Sequence, residues 1–152
     1  MFPNNLDHLA GINAIRIALE TSSLRLAYFF AYWQLANLGW TFPVIPDAVF
    51  AIRTPERQRF LVEYDRGTEP LKAILQKLRA YDQGIAGFAA EAALLVLEEN
   101  RRLDQLGREL RKEGIHLPCL AASLAEVERT LAEPIFIDLS DGTHRPLLAP
   151  NC

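Results

Sequence analysis

Cysteine is almost missing from this chain: Cys119 and Cys152 are the only two, and neither sits in a CxxC or His/Cys cluster. That excludes a disulfide framework and a zinc site of the usual spacing, and it points to a reducing, cytoplasmic setting. The first residues, MFPNNLDHL, lack a basic segment followed by an apolar one, so no secretion signal is expected. Apolar runs break within about ten residues, too short to span a bilayer. A Gly-rich phosphate loop, a GxSxG elbow and a His/Cys dyad are also lacking, so a small-molecule enzyme has no motif behind it. Positive charge is not in surplus either. With 16 Lys and Arg against 19 Asp and Glu, the net charge is −3, and any contact with nucleic acid must come from a local patch.

What is present suits one globular domain over residues 1–152, half of it hydrophobic. Leu9, Ile12, Ile15 and Leu19 recur at helical spacing, predicting a helix across 6–24. His8 falls beside that stripe and reads as a structural histidine. LAYFFAYW, residues 26–33, is aromatic-rich and predicts a strand. A second strand follows at 44–52; Pro46 inside it implies that the strand effectively begins near Asp47 or lies at a bulge. Residues 59–65, RFLVEYD, close a hairpin as the third. Thr68 is the expected N-cap of the next helix, which buries Leu71, Ile74, Leu75 and Leu78. A buried strand is predicted at 92–99, a helix at 100–112 ended by Gly114, and a short strand at 115–122. Ser123 and Glu126 are spaced as a capping box for a helix to Glu133. PIFIDLS is a last strand before a loose tail, DGTHRPLLAPNC. The fold class expected is α/β, a mixed sheet flanked by helices: hairpin strands antiparallel, strands joined through helices parallel.

The third strand raises a chemical question. Strand alternation puts Glu63 and Asp65 on one face. Two acids in an apolar context repel each other and resist burial unless a cation relieves them. Asp47, across the hairpin, can complete an oxygen-rich site suited to a hard ion such as Mg²⁺. On the following helix Lys77 and Tyr81, four residues apart, share one edge of the apolar stripe, so Lys77 is the lysine best placed to reach the acids. The plain alternative is that Glu63 and Asp65 pair with Arg59, Arg66 or Lys77 at a strand end. Spacing alone leaves both open.

The segments PDAVFAI and RFLVEYDRGTEPLKAILQKLRAY resemble the signature of the replication-relaxation family of bacterial plasmid and mobile-element proteins. LDHLAGINAIRIALE and ALLVLEENRRLDQLGREL are similar too, so the resemblance spans most of the chain. It implies a role in plasmid replication and DNA relaxation. It further implies a winged-helix domain followed by a domain of the PD-(D/E)XK nuclease-like fold, whose αβββαβ core order matches the one read from the residues. In that pattern an acid on the second strand and an acid–x–lysine on the third hold metal and activate water. Asp47 matches the first acid and Glu63 the second; Glu20 is a weaker match to an auxiliary acid. The implied ion is Mg²⁺ or Mn²⁺, on Asp47, Glu63 and Asp65, with Lys77 completing the catalytic set. Two departures stand out. Asp65 occupies the place of the third-strand lysine, and the chain starts at the first core helix with no room for the winged helix, which implies a fragment or a DNA-binding partner protein.

Between Arg53 and Tyr81 there are seven Lys/Arg and four Asp/Glu, a local +3. Arg66, Lys72 and Arg79 are the residues expected to meet DNA, by contacts that weaken steeply with salt. The functional expectation is thus a DNA-associated nuclease-like domain of a plasmid replication or mobile-element protein. The alternative is a non-catalytic module that keeps its acids as internal ion pairs and binds a replication or partition protein.

Overall fold

The computed structural model describes residues 5–85 and 87–148. Cys152 and the last residues of the predicted tail lie outside them. A seven-stranded sheet runs β1 (Leu26–Ala31), β2 (Ala48–Ile52), β3 (Gln58–Asp65), β4 (Ala92–Leu97), β5 (Cys119–Ser123), β6 (Phe136–Asp138), β7 (His144–Arg145), neighbours in sequence being neighbours in space. The helices are α1 (Asn5–Thr21), α2 (Tyr32–Leu35), α3 (Leu71–Asp82), α4 (Leu103–Glu113) and α5 (Leu124–Thr130). Among the described residues no helix is long and apolar enough to cross a membrane.

Strands β2, β4 and β5 are buried at every position. Continuous burial of this kind belongs to a sheet covered on both faces, and the near-absence of polar residues in these strands follows from it. Helices α1 and α5 cover one face over Ile12, Ile15, Leu19, Phe50, Phe60 and Phe136. Helices α3 and α4 cover the other over Leu61, Ile74, Leu78, Leu95, Leu97 and Leu106. Phe50 and Phe60, directly paired across β2 and β3, stack with centroids 5.0 Å apart.

One glycine decides how closely α1 sits. A Cβ at Gly11 would lie 2.0 Å from Cε2 of Tyr64. The helix can lie on β3 at this separation only with hydrogen at that position.

The pairing is antiparallel for β1–β2 and β2–β3, and parallel for β3–β4 and β4–β5, as expected. Strand β6, however, runs antiparallel to β5 although a helix joins them. Helix α5 has seven residues, a rise of about 10 Å, short of the roughly 16 Å of a five-residue strand. It cannot carry the chain back for a parallel return, and it packs Val127 into the α1 side instead. Two further differences are local. The strand read to Trp33 turns into α2 at Tyr32, where Gln34 Oε1 accepts the Ala31 N–H at 2.9 Å. Thr68 is not the cap of α3; Pro70 is the N-cap, with no side-chain cap, and its carbonyl accepts the Ala73 N–H at 2.9 Å. The predicted Ser123–Glu126 capping box is present. Part of the supposed loose tail pairs as β7.

Candidate functional site: an acid pair at the end of the sheet

Asp47 stands one residue before β2, held by its N–H to Val62 O at 3.1 Å and its carbonyl to Tyr32 N–H at 2.9 Å. The register Ala48↔Val62 continues one step to set Asp47 opposite Glu63. The two acids therefore meet across the hairpin, as the sequence predicts. Asp47 is clamped by neighbours: Oδ1 lies 2.9 Å from His8 Nε2, and Oδ2 accepts the Tyr64 N–H at 2.7 Å. His8, ring-to-ring with Tyr64 at 5.6 Å, is thus part of the acid cluster rather than only a core histidine. Thirty-nine residues separate it from Asp47, so no local sequence pattern carries that contact.

Glu63 is only 5 % exposed. The Tyr81 hydroxyl donates to its Oε1, and Lys77 Nζ lies 3.6 Å from Oε2 and 2.8 Å from Glu69 Oε1. Burial, then the charge of Asp47, pushes the Glu63 carboxyl up to about 8. At neutral pH it holds its proton, a neutral acid in a buried site. Burial pulls the Lys77 ammonium down, but Glu63 and Glu69 outweigh it and the net direction is up. Since Glu63 is ionised only above about pH 8, Glu69 is the charged partner of Lys77 at neutral pH. Tyr81 is raised by burial and by the same glutamate.

The structure does not bring every expected residue to this point. Asp65, 7 % exposed, turns to Arg102 Nη1 at 3.3 Å and accepts the Gly67 N–H at 2.9 Å. Arg102 is a partner the sequence did not suggest. Arg66 pairs with Asp7 at 3.3 Å and Glu98 at 3.6 Å, and Arg79 pairs with Glu113. Of the three residues expected to meet DNA, only Lys72 has no ion pair among the described residues. Glu20 pairs with Arg16 at 3.6 Å, twelve residues along α1 from His8, about 18 Å by helical rise.

The Asp47–Glu63 pair suits a hard cation by its chemistry. As arranged it is no cage for one: His8, the Tyr64 N–H, Tyr81 and Lys77 surround the four oxygens, and a divalent ion enters only by displacing one of them. No group of three or more His, Cys, Asp or Glu gathers to hold a metal among the described residues.

Residues 2–94 match the family described as Replication-relaxation. The match takes in α1, the hairpin and α3, and therefore Asp47, Glu63 and Lys77 together. No curated protein and no solved structure matches the chain. With 93 of its 152 residues inside the match (94 − 2 + 1), the chain belongs to the replication-relaxation family.

Proposed function

We propose that this chain is a DNA-associated nuclease-like domain serving plasmid or mobile-element replication in the cytoplasm. In this reading its fold is of the PD-(D/E)XK type and its acid–lysine site is weak. Family membership supports the replication setting. The observation that carries the finer reading is Lys77: α3 brings its ammonium 3.6 Å from Glu63, on the strand where Asp65 has taken the lysine position. A helix-borne lysine there is placed to stabilise negative charge developing beside the acid pair. Mg²⁺ or Mn²⁺ must compete with the Glu63 proton and with Lys77, so binding is weak and strengthens as pH rises through about 8. Cleavage by the isolated domain is slow or absent, and a DNA-binding or replication partner supplies target recognition.

A second reading has its own support. Every acid at this end of the sheet has a partner within the fold, which suits a non-catalytic module binding a replication or partition protein. Thermal unfolding at pH 8.5, with and without millimolar Mn²⁺, separates the two. A ligand of the native state must raise the melting temperature. The nuclease-like reading expects a rise that Asp47→Asn removes. An identical melting temperature with and without the ion sinks it in favour of the interaction module.

A further inference from the structure

The cations of this protein are divided in an uneven way. At the acid end of the sheet Lys77 has Glu63 and Glu69, Arg66 has Asp7 and Glu98, and Arg102 has Asp65, while Lys72 is the cation there with no ion pair among the described residues. At the other end, where β1 begins and the β2–β3 hairpin turns, stand Arg25, Arg53, Arg57 and Arg59. None of the four has an ion pair among the described residues. Glu56, in the turn, and Glu91, whose N–H reaches Arg59 O at 2.8 Å, are the nearby acids, both exposed and neither in an ion pair among the described residues.

Register makes this more than a count. The Arg53 N–H bonds to Arg25 O at 2.6 Å, and the pairing Ile52↔Gln58 continues one step to set Arg53 opposite Arg57. Arg25, Arg53 and Arg57 therefore form one row across three strands, stepping about 5 Å from strand to strand. Arg59, opposite Ala51, follows in the next row on the same side of the sheet. Like charges set directly opposite one another are destabilising, and among the described residues none of these arginines is in an ion pair that would offset this. Arg57 also rests over the Tyr28 ring at 5.8 Å, which fixes one guanidinium in the row.

We propose that this hairpin end docks the phosphate backbone of DNA, about 20 Å along β3 from the acid pair. A row of arginines at strand spacing neutralises successive phosphates without reading bases. A protein partner would want apolar surface at the centre of its contact. The large exposed apolar residues, Leu6, Ile17, Trp33, Leu38 and Ile45, all lie outside the hairpin. The choice of DNA among polyanions rests on the DNA-associated reading above, whereas the unneutralised row is independent of it. The row also replaces Arg66 and Arg79, whose charges are already engaged.

The test is anisotropy of a labelled random duplex of about 20 bp, titrated with the full chain between about 50 and 200 mM salt. Arg25→Gln/Arg53→Gln/Arg57→Gln is compared with wild type and with Lys72→Gln. The triple variant is expected to bind at least tenfold more weakly at the lowest salt, with a salt slope smaller by about 2–3, close to 0.9 per lost phosphate contact. Its melting temperature should equal or exceed that of wild type, since repulsion is relieved. A lower melting temperature would make the row structural and overturn the proposal. So would wild-type affinity in the triple variant; with Lys72→Gln weakened, that result moves DNA to α3 and leaves the proposed function standing. Polyglutamate competing as well as DNA at equal charge would replace nucleic acid with an acidic protein. Absence of wild-type binding at the lowest salt would overturn this docking surface and the DNA-associated reading together.

Discussion

Glu63 and Asp65 look alike in the sequence and behave differently in the fold. Glu63 is buried beside Asp47 and titrates near 8, well above the 4.5 of an unburied glutamate. A raised carboxyl means the folded state binds more protons than the unfolded state between those values. The stability it contributes is therefore complete below about pH 4.5 and is lost as pH rises through about 8. Glu63→Gln removes that dependence while keeping an acceptor for Tyr81. Denaturant melts should find it close to wild type at pH 5 and more stable at pH 9 by about 2–4 kcal/mol; a variant less stable at pH 9 would mean that pairing with Lys77 outweighs burial and that the carboxyl is not raised in the folded state. Asp65 is instead held by Arg102 and the Gly67 N–H. Rebuilding the third-strand lysine by Asp65→Lys sets two cations face to face and should cost about 3–5 kcal/mol, the usual cost of breaking a buried pair. Arg102→Glu in the same chain should recover part of that loss in urea melts. Recovery absent beyond error would show that the pair does not form.

Among the elements, α1 links the fold to the site. It brings His8 to Asp47 and needs Gly11 under the Tyr64 ring to do so. Helix propensity alone favours alanine over glycine by about 1 kcal/mol inside a helix. Gly11→Ala should nonetheless destabilise by about 1–3 kcal/mol, because the ring or the helix must move. The measurement is urea unfolding, and a stabilised variant would refute the close contact. The hydrophobic spacing of α1, the Pro46 interruption before β2 and the alternation of β3 were all legible, since each depends on neighbours in sequence. The short α2 and the N-cap of α3 were not. Aromatic composition conceals the turn that Gln34 closes, and Pro70 with its fixed φ takes the cap position from Thr68, a stronger capping residue by type.

For the whole molecule, the order of elements followed from local periodicity and turn residues, and the mixed sheet with helices on both faces from strands joined through helices. The antiparallel β6 did not, because it depends on whether seven helical residues can span the sheet rather than on any residue type. The site was half legible. Hairpin register makes Asp47 and Glu63 meet, and helix periodicity places Lys77 and Tyr81 beside them. His8 and Arg102 enter from segments 39 and 37 residues away from their partners, a distance that no local pattern bridges. The central claim is that this acid pair with a helix-borne lysine is a weak nuclease-like site. Nicking of supercoiled plasmid with Mn²⁺ at pH 8.5, by wild type and by Asp47→Asn, tests it most directly. The account predicts slow or absent nicking by wild type, with any slow activity lost in Asp47→Asn. Rapid nicking by wild type that Asp47→Asn abolishes would contradict the weakness of the site, and nicking that survives Asp47→Asn would contradict the site itself.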